Sequence, residues 1–535
     1  MSTPNASHPA GSIPSRSSLS TPLLSHICVA EEESNQETTG YSSTHDQSIQ
    51  RNQYPSTTNA DAIDLLDFRN IKAEAAGLVL SALPIVMSVI WQPLLMVPMM
   101  GAVGRLGTIA LASMNLVSIF AGLGAVSLLS GTAMALDSLC SQAFTASGDK
   151  RLLGVYLQRV LLLCVCIQLA IYPLWWNATS IYQFLGVSDD IALTTGHVLR
   201  LYFIGIALII IYECLGSYLF AQGIRHFAVF AQLVCLPVGW LTIWLLLVNK
   251  ATAIGILGVP CVIIIVGLCF NIFALVFISR FDGYQCWGGW TKSALSDLKP
   301  ASKLVLNGSM ISFVESVSLH MIDLGVLFLD APSMAAQAVL SVIATSSWAI
   351  SMGLATAACN RVGNLLGAAK LIRVRLAAHT VIAIAVVAFT ALGCLLLAKK
   401  RSIPGVFTDD PEIAGILVAH IPWAAASCTV QGINMALNGI LRGQGRQSLI
   451  ARIRIASFAI VTVPLSAVTV VAFHWRLAGL WFGYFAGLAT TLSAQLYFVF
   501  TTDWHMEIEH CRINTSNALI HASLEDEDEE GILYQ

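Results

Sequence analysis

Charged residues are scarce in this chain of 535 residues. Asp, Glu, Lys and Arg make up 11% of the sequence and hydrophobic residues 56%, whereas a soluble globular protein carries about 25% charged residues. Mean hydropathy is +0.73. This composition excludes a soluble globular enzyme, a disordered protein and a nucleic-acid-binding protein. It predicts a polytopic integral membrane protein.

The sequence also lacks two kinds of motif. None of the 13 cysteines stands in a CxxC motif or in a Cys/His cluster at zinc spacing, and most lie inside apolar stretches. We therefore expect them to pack as small apolar side chains, with no metal site and no organic cofactor. The beginning of the chain is rich in Ser, Thr and Pro and holds no continuous apolar segment. No signal peptide is predicted, so the first membrane helix is expected to direct insertion.

Charge is unevenly distributed along the chain. Residues 1–70 contain eight acidic and three basic residues, residues 503–535 contain nine and one, and residues 71–502 contain 14 and 24. The polar first segment is predicted to be a disordered cytoplasmic tail, and residues 503–535 a solvated acidic cytoplasmic tail. Asp61–Leu66 (DAIDLL) has the form of an acidic dileucine sorting signal, although we favour the first turn of a short surface helix.

Between the tails, apolar stretches of about 20 residues recur, each long enough to cross a ~30 Å hydrocarbon core as a helix. Twelve such spans predict an all-α integral membrane protein of two six-helix halves. The halves are residues 71–280 and 301–502, and a cytoplasmic loop at 281–300 joins them. The predicted spans are 74–100, 109–135, 152–176, 193–220, 226–248, 254–279, 301–328, 335–357, 374–398, 412–440, 449–472 and 476–501.

Lys and Arg residues indicate the orientation in the membrane. If the amino terminus is cytoplasmic, fifteen of them lie in cytoplasmic connections and six in outer connections, which predicts both termini in the cytoplasm. The fifteen are Lys150, Arg151, Arg225, Arg280, Lys292, Lys299, Lys303, Arg361, Lys370, Arg373, Arg375, Arg442, Arg446, Arg452 and Arg454, and the six are Arg105, Lys250, Lys399, Lys400, Arg401 and Arg476.

Two short motifs recur at a common offset. Gln142–Ala146 (QAFTA) follows the second span, and Asn364–Ala368 (NLLGA) follows the eighth. Ala221–Gly223 (AQG) follows the fourth span, and Gly443–Gly445 (GQG) follows the tenth at the same offset, since 443 minus 221 equals 364 minus 142. The repeat predicts two halves in the same orientation, related by an axis along the membrane normal. Transporters with such parallel repeats bind substrate between the halves.

Glu315 lies near the middle of the seventh predicted span among apolar neighbours. A charge at that depth costs at least ~2.5 kcal/mol on insertion scales, so such a residue is a candidate functional group. An isolated carboxylate there is expected to exchange a proton near neutral pH. The alternative is a structural carboxyl that is hydrogen-bonded to Ser312, Ser316 or Asn307.

Three other ionisable residues within the predicted spans are considered as functional candidates. His320 and Asp323 are three residues apart in the seventh span, so their side chains are expected to touch, either as a plain hydrogen bond or within a proton relay. A metal site would need a further ligand, and none is evident. Glu213, in the fourth span, is expected either to line a central cavity or to pair with a polar neighbour.

Four ordered motifs resemble the signatures of eukaryotic MATE (multidrug and toxic compound extrusion) transporters. They are Ala135–Ala146 (ALDSLCSQAFTA) with Leu153–Arg159 (LGVYLQR), Tyr218–Ile224 (YLFAQGI), Arg361–Ala368 (RVGNLLGA) and Leu441–Gln447 (LRGQGRQ). They stand in the family's order over residues 75–500. The long polar amino-terminal tail resembles that of fungal or plant members.

The resemblance implies two six-helix lobes around a central cavity and export of an organic, often cationic, compound by alternating access. Glu315 falls at the place of the family's proton-coupling glutamate, so H⁺ is expected as the coupling ion in preference to Na⁺, with His320 and Asp323 as further coupling candidates. The candidate residues lining the cavity are Asn307, Gln337, Gln431, Asn434 and Glu213. The motif residues expected at a gate are Asp137, Gln142, Gln222, Arg361, Asn364 and Arg442.

Two departures from the family pattern bear on coupling. Val97–Gly101 (VPMMG) lacks the aspartate that many bacterial members carry in the first helix, and His320 and Val342 stand where mammalian members have glutamates. Both departures shift the expected coupling onto Glu315. The implied partners are a small organic substrate and the lipid bilayer of the plasma or vacuolar membrane, with a monomeric carrier and no nucleic acid.

Two other functions are weighed against transport of a free compound. A flippase for a lipid-linked substrate, with a related two-lobe build, would require a cavity rich in Arg and Lys. A membrane-embedded transferase would rest on His320 and Asp323 alone, without the cluster of polar catalytic residues that such enzymes carry.

Overall fold

The computed structural model describes residues 68–533, except residues 297, 327, 328 and 409. Within these ranges the chain is helical and forms no strand, and twelve helices are long and apolar enough to cross a membrane. The twelve predicted spans are thereby confirmed. The Asp61–Leu66 motif lies outside the described residues.

The membrane helices are numbered α1–α12 in chain order. They are α1 Ala75–Gly104, α2 Ala112–Ala146, α3 Leu152–Trp176, α4 Asp189–Ala221, α5 His226–Val248, α6 Gly255–Arg280, α7 Leu298–Gly325, α8 Pro332–Gly367, α9 Leu371–Ala398, α10 Pro411–Gly443, α11 Gln447–Val471 and α12 Arg476–Phe500. Two short helices, Ala178–Phe184 and Pro404–Phe407, lie in connections. A last helix, α13, spans Trp504–Leu533.

All predicted span boundaries fall within four residues of the helices except two. Helix α2 continues to Ala146 where the sequence predicted an end at 135, and α8 continues to Gly367 where it predicted 357. The hydropathy of the sequence placed both ends too early because the last turns of α2 and α8 carry polar side chains. Among these side chains, Asp137 and Asn360 are buried inside the protein. Burial against other helices, not against lipid, keeps these turns helical.

Helices α1–α6 form an N-lobe and α7–α12 a C-lobe, and the lobes meet where α1 and α2 pack against α7 and α8. The approach is close at Gly131 of α2, where a Cβ would lie 2.2 Å from the backbone nitrogen of Ser309 in α7. Around this interface the outer surfaces of the helices expose large apolar side chains such as Leu169, Leu233 and Val387. These exposed surfaces match the hydrocarbon of a bilayer.

Three membrane helices contain a π-helical turn. The turns are Gly122–Val126 in α2, Trp244–Val248 in α5 and Phe458–Thr462 in α11. Turns of this kind are frequent at functional sites because they shift the register of the side chains that follow. Helix α1, in contrast, is continuous through Pro84, Pro93 and Pro98.

Since α1 to α12 cross the membrane twelve times, α1 begins at the face where α12 ends. This face, here called the terminal face, carries the connections 147–151, 222–225, 281–297, 368–370 and 444–446. The opposite face carries the other connections.

Helix α13 packs along the terminal face, although the sequence analysis expected a solvated tail there. Trp504, Glu507, Cys511, Thr515 and Ala518 are buried at helical spacing, so that one stripe of the helix faces the protein. The helix contacts α2 in the N-lobe, α8 and α9 in the C-lobe, and the turn at Lys292–Ala294 between the lobes.

Candidate functional site

A cavity of about 380 Å³ lies between the two lobes. Its volume is within the range of pockets that hold drug-sized ligands. Aromatic side chains from both lobes line it, and they are Trp91, Tyr202, Tyr212, Phe220, Phe227, Trp348 and Tyr484. Among the described residues that line it there is no Lys or Arg.

Three carboxylates line this cavity, and their surroundings differ. Asp137 and Glu213 come from the N-lobe, and Glu315 comes from the C-lobe. Asp137 is buried in an ion pair with Arg442, whereas Glu213 is exposed and has no hydrogen bond or ion pair among the described contacts. Glu213 is therefore the carboxylate most open to a molecule in the cavity.

Glu315 is held by three donors, in contrast to the isolated carboxylate that the sequence suggested. Trp348 Nε1 and Gln431 Nε2 donate to Oε1 at 3.0 and 2.5 Å, and Arg454 Nη1 lies 3.3 Å from Oε2. Both carboxylate oxygens are thus satisfied by side chains from α8, α10 and α11. Ser312, which was considered as a hydrogen-bond partner, instead donates to the Met134 sulfur at 3.6 Å.

Arg454 is the functional candidate that sequence reasoning missed. It was counted among loop cations, but it lies inside α11 and its side chain is only 6% exposed. The available signal was its position, two turns into a span that begins at Gln447. Arg442 is also buried, so removing both from the fifteen cytoplasmic cations leaves thirteen against six, which preserves the predicted orientation.

A second, small cavity of about 30 Å³ adjoins Glu315 on the C-lobe side and is here called the side chamber. Glu315, Gln431 and Tyr484 line both cavities, so the carboxylate lies between them. The side chamber is further lined by Val314, Ser318, Arg454, Ser457, Phe458, Thr462, Gly487, Leu488 and Thr491.

His320 and Asp323 belong to a separate hydrogen-bond network. His320 Nδ1 lies 3.3 Å from Asp323 Oδ2, which confirms the contact expected from their spacing. Asp323 Oδ1 also accepts hydrogen bonds from Gln337 at 2.9 Å and from Ser341 at 2.8 Å. Among the described contacts, no hydrogen bond joins this network to that of Glu315. Only His320 of these residues lines the main cavity.

Two of the five predicted cavity-lining residues line the cavity in the structure, and three do not. Gln431 and Glu213 line the cavity as expected. The prediction is wrong for Asn307, Gln337 and Asn434, none of which lines it. Gln337 is buried against Trp481 and Asn434 against the backbone of α12, because a polar side chain within an apolar span also satisfies helix–helix hydrogen bonds.

On the terminal-face side of the cavity, polar contacts join the lobes. Arg442 at the end of α10 forms its buried ion pair with Asp137 of α2. The Ser138 hydroxyl donates to the Arg442 carbonyl at 2.5 Å, and Gln447 Nε2 donates to the Met134 carbonyl at 3.0 Å. Asp137 is the last cavity-lining residue along α2, and Ser138, Arg442 and Gln447 lie nearer the terminal face. The contacts therefore lie at the terminal-face end of the cavity.

The repeated motifs contribute to the same contact region. Gln142 Nε2 donates to the Gly443 carbonyl at 2.7 Å, and Asn364 Nδ2 donates to the Ala221 carbonyl at 3.3 Å. Thr145 donates to the Asn364 carbonyl at 2.7 Å. Each motif thus bonds to a motif of the other lobe. We call the set of inter-lobe contacts made by Asp137, Ser138, Gln142, Thr145, Asn364, Arg442 and Gln447 the seal.

Two further residues expected at a gate, Gln222 and Arg361, lie near the seal. Gln222, which directly follows α4, donates through Nε2 to the Tyr218 carbonyl in the last turn of that helix, at 3.0 Å. Arg361, in the penultimate turn of α8, lies close to Arg225. Burial, and then this neighbouring guanidinium, lowers the pKa of Arg225 below its usual value.

In the described part of the chain, no group of three or more His, Cys, Asp or Glu residues could hold a metal ion.

Comparison with known proteins places this arrangement among transporters. A family model described as MatE matches residues 84–245 and 309–468, one segment in each lobe. The starting positions of the two segments, 84 and 309, differ by nearly the same offset as the repeated sequence motifs. The family model thus matches each lobe once, at equivalent places.

The chain is similar along most of its length to proteins of fungi, plants and animals. An uncharacterized transporter of Schizosaccharomyces pombe is 25% identical over 436 residues, covering 82% of this chain and 81% of that protein. Protein DETOXIFICATION 17 of Arabidopsis thaliana is 28% identical over 414 residues, covering 76% and 85%. The human Multidrug and toxin extrusion protein 2 is 25% identical over 452 residues, covering 76% and 74%.

Solved structures show the same fold. The crystal structure of the eukaryotic MATE transporter AtDTX14 aligns with a TM-score of 0.78 at 21% identity, covering 83% of this chain and 99% of that chain. An outward-facing multidrug resistance transporter of the same family aligns with a TM-score of 0.70 at 16% identity, covering 82% and 97%.

Proposed function

Because the chain belongs to the MatE family of multidrug and toxin extrusion transporters, we propose that it exports organic compounds in exchange for H⁺. The observation that carries the proposal is the cavity between the lobes, which combines aromatic walls with carboxylates from both lobes. Members of this family are transporters and not enzymes. The protein is an integral, multi-pass membrane protein.

The lining of the cavity favours an organic cation as substrate. Faces of Trp and Tyr rings attract cations and also bury apolar groups. Glu213 supplies an exposed carboxylate to the N-lobe wall, and Gln431 and Glu315 supply polar groups to the C-lobe wall. The absence of Lys and Arg among the described cavity-lining residues argues against a lipid-linked pyrophosphate, and so against the flippase alternative.

Glu315 is the proposed proton-coupling group. It adjoins the cavity, and its carboxylate is held by donors from three other helices of the C-lobe. A proton that binds Glu315 removes the charge on which these contacts depend, so protonation is coupled to the packing of α7 against α8, α10 and α11. His320 and Asp323 are a second candidate pair, since His320 also reaches the cavity.

The transport cycle is proposed to alternate access between the two faces. The seal lies at the terminal-face end of the cavity, which supports the proposal that this state releases substrate toward the opposite face. With the termini in the cytoplasm, as the Lys and Arg bias predicts, this direction is export from the cytoplasm. The proposed location is the plasma or vacuolar membrane, and the proposed transporting unit is a monomer that needs no cofactor other than H⁺.

Transport of a cationic fluorophore in proteoliposomes, with and without an imposed pH gradient, tests the proposal. We expect Glu315→Gln to lower stability, because it leaves Arg454 without its counter-charge, and to keep substrate binding. Gradient-driven transport is expected to fall by at least about tenfold, because the amide keeps the size of the side chain and cannot titrate. Glu315→Asp is expected to keep part of the activity. The matched control is Asp190→Asn, an exposed carboxylate at the start of α4 on the opposite face.

Two results would contradict this assignment. Wild-type rates in Glu315→Gln would move the coupling role to Asp323 or Glu213. A wild-type protein whose transport of organic cations does not respond to a pH gradient of either sign would rule out proton-coupled antiport.

A further inference from the structure

Arg454 is a buried cation inside a membrane helix. Its guanidinium Nη1 lies 3.3 Å from Glu315 Oε2, and the two side chains are 6% and 13% exposed. Its Nη2 lies 3.6 Å from the Met435 sulfur, and its Nε has no hydrogen-bond partner among the described atoms. An arginine at such depth is costly unless it is paired. Glu315 supplies the counter-charge.

The side chamber lies next to this ion pair. It is lined by Arg454 and by four residues that carry hydroxyl groups, Ser318, Ser457, Thr462 and Thr491. Its volume of about 30 Å³ exceeds the roughly 10–15 Å³ that one water molecule requires. It is therefore large enough for a water molecule or a dehydrated monovalent cation, and its oxygen atoms are of the kind that bind hard cations.

We propose that Arg454 determines the ion specificity of the coupling site by acting as a built-in cation on Glu315, so that the site accepts H⁺ and excludes Na⁺. This inference rests on the proposed coupling role of Glu315. It adds a residue and a physical reason for the choice of ion, neither of which follows from membership of the family.

The two ions make different demands on the site. Na⁺, as a hard cation, requires several oxygen ligands at once, including a carboxylate oxygen that Arg454 already occupies. It would also have to lie beside a like charge in a medium of low dielectric constant, where charges interact strongly. A proton requires only one carboxyl oxygen. When Glu315 is protonated, the hydroxyl groups of the side chamber remain as acceptors for the guanidinium.

No other titratable group near Glu315 among the described residues supplies the permanent positive charge that Arg454 supplies. Tyr484, on α12, also lines both cavities. Asp137 and Glu213 lie on the N-lobe wall of the main cavity, where Asp137 is engaged by Arg442, and His320 lies on α7 itself. Arg454 is therefore the permanent cation that directly contacts Glu315 within the described residues.

The experiment measures Na⁺ binding without requiring transport. Melting temperatures (Tm) of the purified full-length protein are compared in NaCl and in KCl at equal ionic strength. Wild type is expected to show no Na⁺-specific change. Arg454→Met is expected to gain a Na⁺-specific rise in Tm of about 2 °C or more, because ligand binding stabilises the folded state. The double variant Arg454→Met with Glu315→Gln is expected to lose that rise.

Two matched variants serve as controls. Arg452→Met removes an exposed arginine two residues away on the same helix and is expected to behave as wild type. Arg454→Lys keeps a cation at the site and is expected to remain insensitive to Na⁺. In proteoliposomes, only Arg454→Met among the single variants is expected to respond to a Na⁺ gradient.

Three outcomes would overturn the inference. They are a Na⁺-specific rise in Tm in wild type that Glu315→Gln abolishes, a Na⁺ response in Arg454→Lys, and a folded Arg454→Met that ignores Na⁺. The wild-type and Arg454→Lys measurements remain decisive if Arg454→Met does not fold. If a pH gradient fails to drive transport by the wild-type protein, the proposed function is contradicted instead. The Na⁺-binding results would stand unchanged.

Discussion

Gly131 of α2 illustrates how one residue sets the distance between the lobes. An ideal Cβ at this position would lie 2.2 Å from the Ser309 nitrogen, and a Cβ at Gly308 would lie 2.8 Å from the Gly131 carbonyl oxygen. The obstacle is backbone in both cases, so a larger residue cannot be accommodated by a change of rotamer. The two glycines let α2 and α7 approach closely, as small residues do between membrane helices.

Gly131→Ala is expected to lower stability by about 1–3 kcal/mol, because the added methyl group must push two backbones apart. Tm of the purified protein measures the effect. Gly101→Ala is the matched control: it lies on α1, where a Cβ meets no heavy atom within 4 Å. There alanine is expected to be neutral or to stabilise the helix slightly. Equal Tm values for the two variants would contradict the close contact.

The residues around Glu315 show how far sequence reasoning reaches at this scale. Depth within an apolar span identified Glu315, and helical spacing gave the contact between His320 and Asp323. The donors to Glu315 could not be derived, because Trp348 and Gln431 are 33 and 116 residues away in the sequence. Arg454 lies five residues after the predicted start of the span at 449, and it was counted with the cations of the preceding connection. Its ion pair with Glu315 is a contact between helices, which the sequence alone does not show.

At the scale of elements, hydropathy located the helices and failed where helices face each other. The last three turns of α2 and of α8 carry polar residues such as Ser138 and Asn364, and a lipid-based criterion ends the span before them. Their hydrogen bonds are made to the other lobe. The repeat of the short motifs placed Gln142 and Asn364 at equivalent positions beyond the predicted ends of the spans, and both residues lie inside the helices.

The acidic composition of residues 503–535 predicted a solvated tail, whereas α13 packs against the protein. Net charge does not show that one stripe of this helix carries the side chains that become buried. Glu507 lies in that stripe with its side chain 3% exposed, and its Oε1 is 2.5 Å from Arg446 Nη2. Burial raises the pKa of Glu507, and the charges of Arg446 and His510 oppose that rise. Docking of α13 is thus tied to the charge of one carboxyl group.

The raised pKa fixes the sign of the pH dependence. The docked helix binds the Glu507 proton more tightly than the undocked helix, whose glutamate has a pKa of about 4.3. Docking is therefore strongest below that value, weakens as pH rises from there to the raised pKa, and is constant above it. Hydrogen exchange of the α13 amides, corrected for intrinsic rates at each pH, measures the docking.

Two variants separate the roles of charge and counter-charge in docking. Glu507→Gln is expected to abolish the pH dependence and to dock at least as well as wild type at neutral pH. Arg446→Ala is expected to raise the opening of α13 roughly tenfold at neutral pH, because it leaves a buried carboxylate unpaired. Weaker docking in Glu507→Gln than in wild type at neutral pH would mean that the ion pair outweighs the cost of burial.

At the scale of the whole molecule, the lobes are joined unevenly across the membrane. The seal concentrates a buried ion pair and several hydrogen bonds on the side of the terminal face. Breaking a buried ion pair by removing one partner typically costs about 3–5 kcal/mol, because the remaining charge stays buried. We therefore expect loss of either partner of the Asp137–Arg442 pair to weaken the closed seal.

Asp137→Asn is expected to shift the protein toward a state that is open at the terminal face. The amide keeps the shape of the side chain and leaves Arg442 without its counter-charge, so the fraction of molecules with a broken seal should rise at least about tenfold. Distances between spin labels at Asp149 and Lys370, one in each lobe on the terminal face, should lengthen. Those between Lys250 and Lys399 on the opposite face should shorten. Because the chain has 13 cysteines, the labels are attached through non-natural amino acids.

The correlation between the two label pairs is the decisive feature of this experiment. If the lobes move as rigid bodies about the cavity, opening at one face requires closing at the other, and the two distance changes must appear in the same fraction of molecules. Asp190→Asn, which removes an exposed carboxylate far from the seal, should leave both distances as in wild type. A change confined to the Asp149–Lys370 pair would indicate local fraying of the helix ends. Unchanged distances at both faces would show that the ion pair does not hold the seal closed.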